Sequence, residues 1–546
     1  MSNAATNETP TDLQTIIVRR AAWILLALII LFVLAIRVRL REVPLERDEG
    51  EYAYAGQLIL DGVVPYKLAY TMKLPGTAAA YALLMAAFGQ TTSGIHTGLL
   101  VVNAAAICLV FLIARKLFDV VAGLAAALSY GLMSSSFSVQ GLAAHANHFV
   151  ILFALLGTWV LLRAISSLGT LLFMASGLCF GLAFLMKQQA FCYFLFAVSF
   201  LLWTSPNATS AEICRTALRL RVFCTGLILP FGMLCLILLW AGAFRSFVFW
   251  TFTYAWQYAA ALSLSQGWSN LKYVSPGVAG PILPLIVLSV AGILLTLMTK
   301  PVAERKFLLL CFLFSSALAV SLGLYFRPHY FILLLPALAI NAGAALSLTQ
   351  KLVANCHLLL IRCLPFSIFF ISIAIVTYQN HAVWFLMSPI EVCREIYGHE
   401  PFPESRTIAN YLYQHSTSKD RIAVLGSEPQ IYFYSRRRSA TGYLYTFPLM
   451  ESHLFAAKMQ ADMIGEIEQA QPKYVVYVQN PILWLAQTNS PTRIFDWASE
   501  YLPKHYCLDG VADPVSRDHV EYRWGQAALD YKPESEYYTL IYKIAD

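Results

Sequence analysis

A charged segment interrupts the otherwise apolar first half of the chain and carries residues suited to acid-base chemistry. Residues 43–75 read VPLERDEGEYAYAGQLILDGVVPYKLAYTMKLP, with Asp48 and Glu49 adjacent. Burial near an interface raises the pKa of a carboxyl group toward the range in which a general base works. We therefore interpret Asp48 and Glu49 as candidate catalytic carboxylates, although a solvated helix N-cap at Asp48 is the alternative. Glu51 and Tyr54 follow on the same predicted helix as candidate substrate contacts.

Positively charged residues recur beside apolar sequence, where they could bind a phosphate or a lipid. Lys73 lies in MKLPG and offers a compact point charge, whereas Lys187 interrupts a long apolar stretch in FLMKQQAF. An ionisable residue inside apolar membrane sequence is a functional-site candidate by default. Arg327 and His329 lie in YFRPHYF, where the guanidinium can grip a phosphate and the imidazole can donate a hydrogen bond or titrate. The alternative for each is a side chain that only reaches the membrane surface.

Short polar turns between apolar runs supply further candidate substrate contacts. Gln188 and Gln189 could bind a sugar or only a neighbouring helix, and His145 and Asn147 lie in the turn AAHANHF. The two histidines of that turn could hold a divalent metal with Asp48, but the sequence fixes no third ligand, so no metal site is predicted. The sequence contains no GxGxxG, Walker, CxxC or HExxH motif, and no cofactor is expected to be required.

The composition is that of a membrane protein. Hydrophobic residues make up 58% of the 546 residues and charged residues only 13%, whereas soluble domains carry about 25% charged residues. The net charge of +7 comes from lysine and arginine clusters beside apolar runs, a pattern that orients helices in a bilayer. The sequence therefore predicts an α-helical polytopic membrane protein that contacts lipids and does not bind nucleic acid.

Eleven apolar runs approach the length of about 20 residues that a membrane span requires. The first is predicted to be a retained helix, because it has no small-residue cleavage pattern. The predicted spans are 18–40, 94–115, 119–139, 146–165, 169–187, 190–204, 219–243, 276–299, 306–326, 329–349 and 358–380.

The apolar run at 76–89 is short for a span, and its placement decides the topology. If it lies flat on the outer surface, most basic clusters fall on one side, which the positive-inside rule assigns to the cytoplasm. The N-terminus is then cytoplasmic, and the first external loop, 41–93, shares the outer face with Lys187 and the 327–330 turn. The aromatic segment 244–275 also lies there, either as an interfacial anchor or as a groove wall for a long-chain lipid.

The composition changes to that of a soluble domain near residue 389. Alternating short strands and helices predict a small α/β domain at 389–546, outside the cytoplasm, after a membrane module at 1–388. Cys393 and Cys507 could form a disulfide there. The predicted helices are 404–416, 428–434 and 451–470, and the predicted strands are 421–426, 441–447 and 474–478.

Four stretches of the sequence resemble the membrane glycosyltransferases of the GT-C class. They are RDEGEYAYAGQLILDG, PYKLAYTMKLPGTAAAYALLMAAFG, FLMKQQAF and FRPHYFILLLPALA. The branch that they resemble holds the dolichyl-phosphate-mannose protein mannosyltransferases, the lipid A aminoarabinose transferases and the Rgt-type lipopolysaccharide transferases. The resemblance covers roughly residues 20–350.

The resemblance implies a multi-span enzyme of the plasma (inner) membrane whose first external loop carries a catalytic Asp on the periplasmic face. Asp48 matches that position and Lys73 matches a lysine that binds the donor phosphate, whereas Asn147 stands where many relatives carry an acid. The implied donor is a sugar linked to a polyprenyl phosphate. Its transfer to a hydroxyl of a lipid, glycan or protein acceptor inverts the configuration of the anomeric carbon.

Two other functions remain as alternatives to a glycosyltransferase. A transporter or flippase of lipid-linked glycan precursors would be expected to show repeated halves and charges near mid-membrane, and the sequence shows neither. A noncatalytic scaffold that binds a partner through its outer domain would lack a lipid-sized cavity near Asp48.

Overall fold

The computed structural model describes residues 12–167, 169–204, 209–299, 303–517 and 519–545. Its first part is helical, and its last part folds around a β-sheet. The helices before residue 389 are α1 (Asp12–Arg39), α2 (Arg47–Leu60), α3 (Gly76–Phe88), α4 (Thr92–Leu117), α5 (Val120–Met133), α6 (Ala146–Ser167), α7 (Thr170–Met186), α8 (Phe191–Trp203), α9 (Ser210–Trp240), α10 (Phe244–Val248), α11 (Ala255–Ala259), α12 (Leu264–Ala279), α13 (Leu283–Met298), α14 (Ala303–Ser321), α15 (Leu335–Val353) and α16 (Leu359–His381). Short 3₁₀ turns lie at Phe137–Val139, Gln188–Ala190, Gly280–Ile282 and Pro328–Leu333, and π-helical turns lie at Phe249–Tyr254 and Ala382–Leu386.

Six stretches in the described part of the chain are helical, long and apolar enough to cross a membrane. Further apolar helices, including α5 and α7, are shorter than a bilayer normally requires. The chain is therefore an integral membrane protein, and the count of eleven spans stays a prediction. The six stretches are Arg20–Arg39, Thr92–Leu117, Ala146–Ser167, Glu212–Trp240, Leu264–Met298 and Leu359–Leu386.

The short helix α3 occupies the run that the sequence predicts as an interfacial helix. It packs against α2, α4 and α7. Tyr81 of α3 is fully buried, and its hydroxyl donates to the backbone carbonyl of Ala144 at 2.7 Å. Gly76, at the start of α3, meets the end of α7 so closely that a Cβ there would lie 2.3 Å from the carbonyl oxygen of Leu185. This close contact holds the loop around Lys73 beside the end of α7.

The described residues of the sheet domain, 389–517 and 519–545, form a mixed sheet of six strands. Its strands are β1 (Arg421–Leu425), β2 (Arg438–Ser439), β3 (Tyr474–Gln479), β4 (Tyr506–Asp513), β5 (Glu521–Trp524) and β6 (Tyr538–Ile544). Its helices are α17 (Pro389–Tyr397), α18 (Phe402–Gln414), α19 (Gln430–Ser435), α20 (Phe447–Met450), α21 (Ala456–Ala470), α22 (Arg493–His505) and α23 (Gln526–Leu529), with a 3₁₀ turn at Pro481–Leu483. The strand order is β2-β1-β3-β6-β4-β5; β1 pairs in parallel with β2 and β3, and the other neighbours are antiparallel. Strands β1 and β3 are buried along most of their length and form the core of the domain.

The strands predicted at 421–426 and 474–478 are confirmed as β1 and β3, and the three predicted helices appear as α18, α19 and α21 with shifted ends. Strand β2 and strands β4 to β6 are additional to the sequence prediction. The predicted disulfide is wrong, because Cys393 is a buried free thiol and Cys507 is an exposed free thiol on β4.

The strand predicted at 441–447 is also wrong. In the structure this segment is a turn that leads into α20. The backbone N–H of Gly442 donates to the carboxylate of Glu466, and that of Tyr443 donates to the hydroxyl of Thr441. Side chains therefore satisfy these two backbone donors outside the sheet, and Tyr443 forms only an isolated parallel bridge with Tyr70.

Candidate active site

A cavity of about 620 Å³ lies where the membrane helices meet the sheet domain. Its lining comes from segments far apart in the chain, including the first turn of α2, the turn after α7, the turn before α15 and the start of α20. Charged and aromatic side chains share its walls. The predicted site residues that line the cavity are Asp48, Glu51, Lys73, Lys187, Gln188, Gln189, Arg327 and His329.

Asp48 lies in the first turn of α2 and faces this cavity. The carboxylate of Glu46 accepts the backbone N–H of Glu49 at 2.9 Å, and the carboxylate of Glu49 accepts the backbone N–H of Glu46 at 3.2 Å. This reciprocal capping fixes the start of the helix, with Glu46 rather than Asp48 as the N-cap. Successive helical residues point about 100° apart. Asp48 can therefore face the cavity while its neighbour Glu49 turns away.

The carboxylate of Asp48 is surrounded by donors. Lys73 Nζ lies 2.7 Å from Oδ1, and the hydroxyl of Tyr445 donates to the same oxygen at 3.0 Å. His329 Nε2 lies 3.8 Å from Oδ2. Burial raises the pKa of Asp48, but the neighbouring ammonium of Lys73 outweighs burial and holds the pKa well below its usual range. Asp48 is therefore ionised at neutral pH.

Lys73 forms ion pairs with two carboxylates. Its ammonium contacts the carboxylates of Asp48 and Glu51, and it lies 4.5 Å from the ring centre of Tyr52. The side chain of Glu51 is only 2% exposed, so its charge depends on this contact. Burial lowers the pKa of Lys73, yet the two carboxylates raise it well above its ordinary value. The lysine therefore remains a cation at the cavity wall.

Two further basic side chains face the cavity and have no acidic partner among the described residues. Lys187 directly follows α7; its ammonium donates to Asn147 Oδ1 at 3.0 Å and lies 4.2 Å from the ring centre of Tyr330. The guanidinium of Arg327 lies 5.8 Å from the ring centre of Tyr325. Within the described ranges, neither cation forms an ion pair with a carboxylate. Both side chains are only partly exposed, and a bound anion would stabilise their positive charges.

Two stacked histidines lie beside Asp48. The ring centres of His145 and His329 are 4.2 Å apart, and ligand atoms of Asp48, His145 and His329 all lie within 4.8 Å of one another. This set could hold a divalent cation, because imidazole nitrogen and carboxylate oxygen are its usual ligands. The ammonium of Lys73, 2.7 Å from Asp48, would compete with such an ion for the carboxylate. His148, the second histidine of the AAHANHF turn, instead contacts a backbone carbonyl.

Glu49 and Tyr54 hold α2 in place and do not line the cavity. Glu49 is 1% exposed; its carboxylate accepts the backbone N–H of Ala144 at 2.6 Å and pairs with His96 at 2.9 Å. The hydroxyl of Tyr54 accepts the backbone N–H of Ser439 at 2.8 Å, which joins α2 to β2. The structure therefore gives both residues contacts that position the helix.

The amide side chains differ in their access to the cavity. Asn147 accepts a hydrogen bond from Lys187 and donates to the backbone carbonyl of His329, so it links the two cationic turns. Gln188 lines the cavity, but its amide already donates to a backbone carbonyl at 2.8 Å. Gln189 also lines the cavity, and its buried Oε1 has no hydrogen-bond partner among the described residues. A sugar hydroxyl could donate to this oxygen.

The sheet domain supplies one wall of the cavity, which the sequence reasoning missed. Tyr445 bonds to Asp48, and the carboxylate of Glu451 accepts the hydroxyl of Tyr254 at 2.6 Å. Burial raises the pKa of Glu451 to about 6. Tyr445 and Asp48 are 397 positions apart. A contact over this distance leaves no local signal in the sequence that could have identified Tyr445 or Glu451.

The aromatic segment 244–275 forms another wall. Its π-helical turn buries Trp250, on which Tyr70 stacks at 5.4 Å, and Tyr443 packs against both rings. Further along the segment, Trp268 and Tyr273 are 58% and 88% exposed. The segment thus presents buried rings to the cavity and exposed rings that lipid can cover.

The sequence and the fold resemble those of known proteins. Residues 73–240 match the family model of dolichyl-phosphate-mannose-protein mannosyltransferases, whereas no curated protein sequence matches the chain significantly. The structure of ArnT from Cupriavidus metallidurans, bound to undecaprenyl phosphate, is similar over 96% of this chain and 98% of its own, with a TM-score of 0.57 at 15% identity. The archaeal oligosaccharyltransferase AglB from Archaeoglobus fulgidus, in complex with an inhibitory peptide and a dolichol-phosphate, is similar over 95% of this chain and 76% of its own, with a TM-score of 0.53 at 14% identity. At these identities the likeness is one of fold.

Proposed function

Because the chain has the fold of the GT-C membrane glycosyltransferases, we propose that it is an integral membrane glycosyltransferase. It transfers a sugar from a polyprenyl-phosphate-linked donor to an acceptor hydroxyl, with inversion and with Asp48 as general base. The main observation behind the proposal is that Lys187 and Arg327, two basic side chains without an acidic partner in the described ranges, line the same cavity as Asp48 and Lys73. The undecaprenyl phosphate bound to ArnT and the dolichol-phosphate bound to AglB support an anionic lipid as the occupant.

The proposed reaction is a single displacement. The acceptor oxygen attacks the anomeric carbon from the face opposite the phosphate, and its proton passes to the carboxylate of Asp48. The bond between the anomeric carbon and the phosphate oxygen breaks, and the polyprenyl phosphate leaves with the bonding electrons. Lys73, Lys187 and Arg327 stabilise the negative charge on the leaving phosphate. Prearranged donors of this kind contribute about 3–4 kcal/mol each to lowering the barrier.

The contact between Lys73 and Asp48 makes the strength of the base depend on the donor. A carboxylate whose pKa is held low by a neighbouring cation is a weak base. A donor phosphate competes for the ammonium of Lys73, and the pKa of Asp48 rises as the contact between the two side chains weakens. Asp48 thus becomes a stronger base when the donor is bound.

The proposed reaction takes place on the outer face of the plasma (inner) membrane, with the N-terminus in the cytoplasm. A lipid-linked donor needs no nucleotide site, in keeping with the absence of nucleotide-binding motifs from the sequence. The sheet domain lies on the same face as the catalytic loop, since Tyr445 contacts Asp48. The cavity of about 620 Å³ at Asp48 favours an enzyme over a noncatalytic scaffold. The acceptor is a lipid, a glycan or a protein.

The proposal requires no metal, because the three cations supply the positive charge that the leaving phosphate needs. A divalent cation held by Asp48, His145 and His329 would add Lewis-acid polarisation of an oxygen at the same place. It would also have to displace Lys73 from Asp48.

Purified protein is expected to release polyprenyl phosphate from a polyprenyl-phosphate sugar when an acceptor is supplied. A panel of such donors, each tested with lipid, glycan and peptide acceptors, can be followed by chromatography of the released lipid phosphate. Nucleotide sugars with the same sugars serve as the control and should give no transfer. Transfer from nucleotide sugars, or no release from any lipid-linked donor, would contradict the proposed function.

Glu451→Gln is expected to abolish the rise in donor affinity that the wild type shows as the pH falls through 6. Burial raises the pKa of Glu451 to about 6, although Tyr254 and Arg327 oppose the shift. Above that pH the carboxylate is ionised and repels an anionic donor, whereas below it the carboxyl is neutral. Donor affinity of the wild type should therefore rise as the pH falls through 6, by about threefold for one screened charge in the cavity. The glutamine variant should keep the higher affinity as the pH rises through 6.

The Michaelis constant for the donor, measured on both sides of this pKa, checks the Glu451 prediction. Glu500→Gln removes one exposed carboxylate from the same domain and should retain the pH step of the wild type. A step that persists in Glu451→Gln would show that another group controls it.

A further inference from the structure

A second cavity, of about 430 Å³, opens on the sheet domain and shares no residue with the candidate active site. We call this cavity, which is lined by Arg406, Asn410, Tyr413, Tyr434 and Arg436, the basic cleft. Arg406, Asn410 and Tyr413 lie on α18 at positions i, i+4 and i+7, which puts them on one face of the helix. Tyr434 and Arg436, at the end of α19, complete the lining.

Both arginines of the basic cleft can bind an anion. Arg436 is exposed, and among the described residues it forms no ion pair with a carboxylate. Its φ of 52° lies in the left-handed region that non-glycine residues rarely adopt. The guanidinium of Arg406 lies 5.7 Å from the ring centre of Tyr434, and its acidic neighbour is Glu42, at 3.4 Å and 53% exposed. Exposed ion pairs of this kind contribute little to stability, so a bound anion can displace Glu42.

The tyrosines give the basic cleft its walls and its position relative to the membrane. The hydroxyl of Tyr434 accepts the backbone N–H of Leu45 at 2.9 Å and the hydroxyl of Thr92 at 3.3 Å. Thr92 is the first residue of α4, which is long and apolar enough to cross a membrane. The basic cleft therefore lies beside the end of a helix that is long and apolar enough to span a membrane, where lipid headgroups are expected.

We propose that the basic cleft binds a phosphate group, supplied by the headgroup of an anionic lipid in the adjoining leaflet. The planar guanidiniums of Arg406 and Arg436 can each donate paired hydrogen bonds to phosphate oxygens, and the amide of Asn410 can donate another. Arginines at the surface of a membrane are also attracted to anionic lipids. The tyrosine rings border the site without adding negative charge.

A lipid in the basic cleft would have a structural consequence for the candidate active site. The cleft belongs to the domain that supplies Tyr445 and Glu451 to the large cavity. A headgroup held between α18, α19 and the membrane surface would fix this domain against the bilayer. The binding site itself does not depend on the proposed transfer reaction.

The full-length protein in neutral detergent is expected to bind short-chain phosphatidylglycerol about tenfold more tightly than short-chain phosphatidylcholine, as measured by native mass spectrometry. Both lipids offer a phosphate, but the two arginines repel the choline cation of phosphatidylcholine. The double variant Arg406→Gln/Arg436→Ser should lose this preference. Arg517→Ser is the matched control, since Arg517 is an exposed arginine of the same domain that pairs with Glu395 outside the cleft. It should bind like the wild type.

Equal affinity of the wild type for the two lipids would overturn the proposal, and this comparison does not depend on the folding of any variant. A preference for phosphatidylglycerol that is as large in the double variant as in the wild type and in Arg517→Ser would also overturn it. Competition by inorganic phosphate, lost in the double variant, would support recognition of the phosphate group and identify a free anion as an occupant. Absence of such competition, with the lipid preference intact, would support the headgroup.

Discussion

Asp48→Asn is expected to lower the rate of sugar transfer by about 10²- to 10⁴-fold, the usual contribution of a general base. The amide has nearly the shape of the carboxylate but cannot take up the proton of the acceptor hydroxyl. Lys73 keeps Glu51 as a partner, so the folded structure should survive the change. The rate of polyprenyl phosphate release at saturating donor and acceptor measures the effect.

Asp61→Asn is the matched control for Asp48→Asn. Asp61 belongs to the same loop, but its side chain is 56% exposed and its partner Arg438 lies 3.6 Å away. This variant should transfer sugar at the wild-type rate. A wild-type rate in Asp48→Asn, with the control behaving as expected, would remove Asp48 from the role of base.

Removing the charge of Lys73 is expected to weaken donor binding by about 10- to 100-fold, because a hydrogen bond to a charged group contributes about 1.5–3 kcal/mol. A single Lys73→Met change would leave Glu51, which is 2% exposed, without its cation. An unpaired buried charge costs about 3–5 kcal/mol of stability. The informative variant is therefore Lys73→Met/Glu51→Gln, which removes both charges together. The dissociation constant of a polyprenyl phosphate gives the result.

Two controls accompany the Lys73 variant. Glu51→Gln alone keeps the ammonium and its contact with Asp48, so it should retain most of the donor affinity. Lys67→Met removes an exposed lysine from the same loop and should bind the donor like the wild type. If the double variant binds as tightly as these controls, the donor phosphate lies away from Lys73.

The resemblance to the GT-C class that the sequence indicates is confirmed by the family model and by the fold. The structure also brings Asp48, Lys73, Lys187 and Arg327 to one cavity, as expected if they share a membrane face. Charged groups and irregular backbone are excluded from lipid-facing hydrocarbon, which leaves them few places to lie. Because this constraint depends only on residue type and hydropathy, the sequence predicted that the four side chains would lie close together. The role of each residue stays a prediction.

The sequence alone could not show which of the two adjacent carboxylates, Asp48 or Glu49, faces the cavity. Asp48 and Glu49 are equivalent as residue types, and only the phase of α2 separates them. That phase is set by the reciprocal bonds between Glu46 and Glu49. Glutamate is not among the preferred N-cap residues, so the sequence did not mark Glu46 as the start of the helix.

The break between α7 and α8 explains why the number of spans could not be settled from hydropathy. These helices have 17 and 13 residues, and a short 3₁₀ turn joins them. A hydropathy analysis assigns a membrane span to a run of about 20 apolar residues. Irregular backbone at membrane depth is tolerated where it lines a protein cavity, and Lys187 lies at this break.

A structure of the protein with a polyprenyl phosphate bound tests the central claim most directly. We predict the phosphate within hydrogen-bonding distance of Lys73 and of at least one of Lys187 and Arg327, with the ammonium of Lys73 drawn away from Asp48. A phosphate found only in the basic cleft or elsewhere, with the contact between Lys73 and Asp48 unchanged, would contradict the proposed site of the donor.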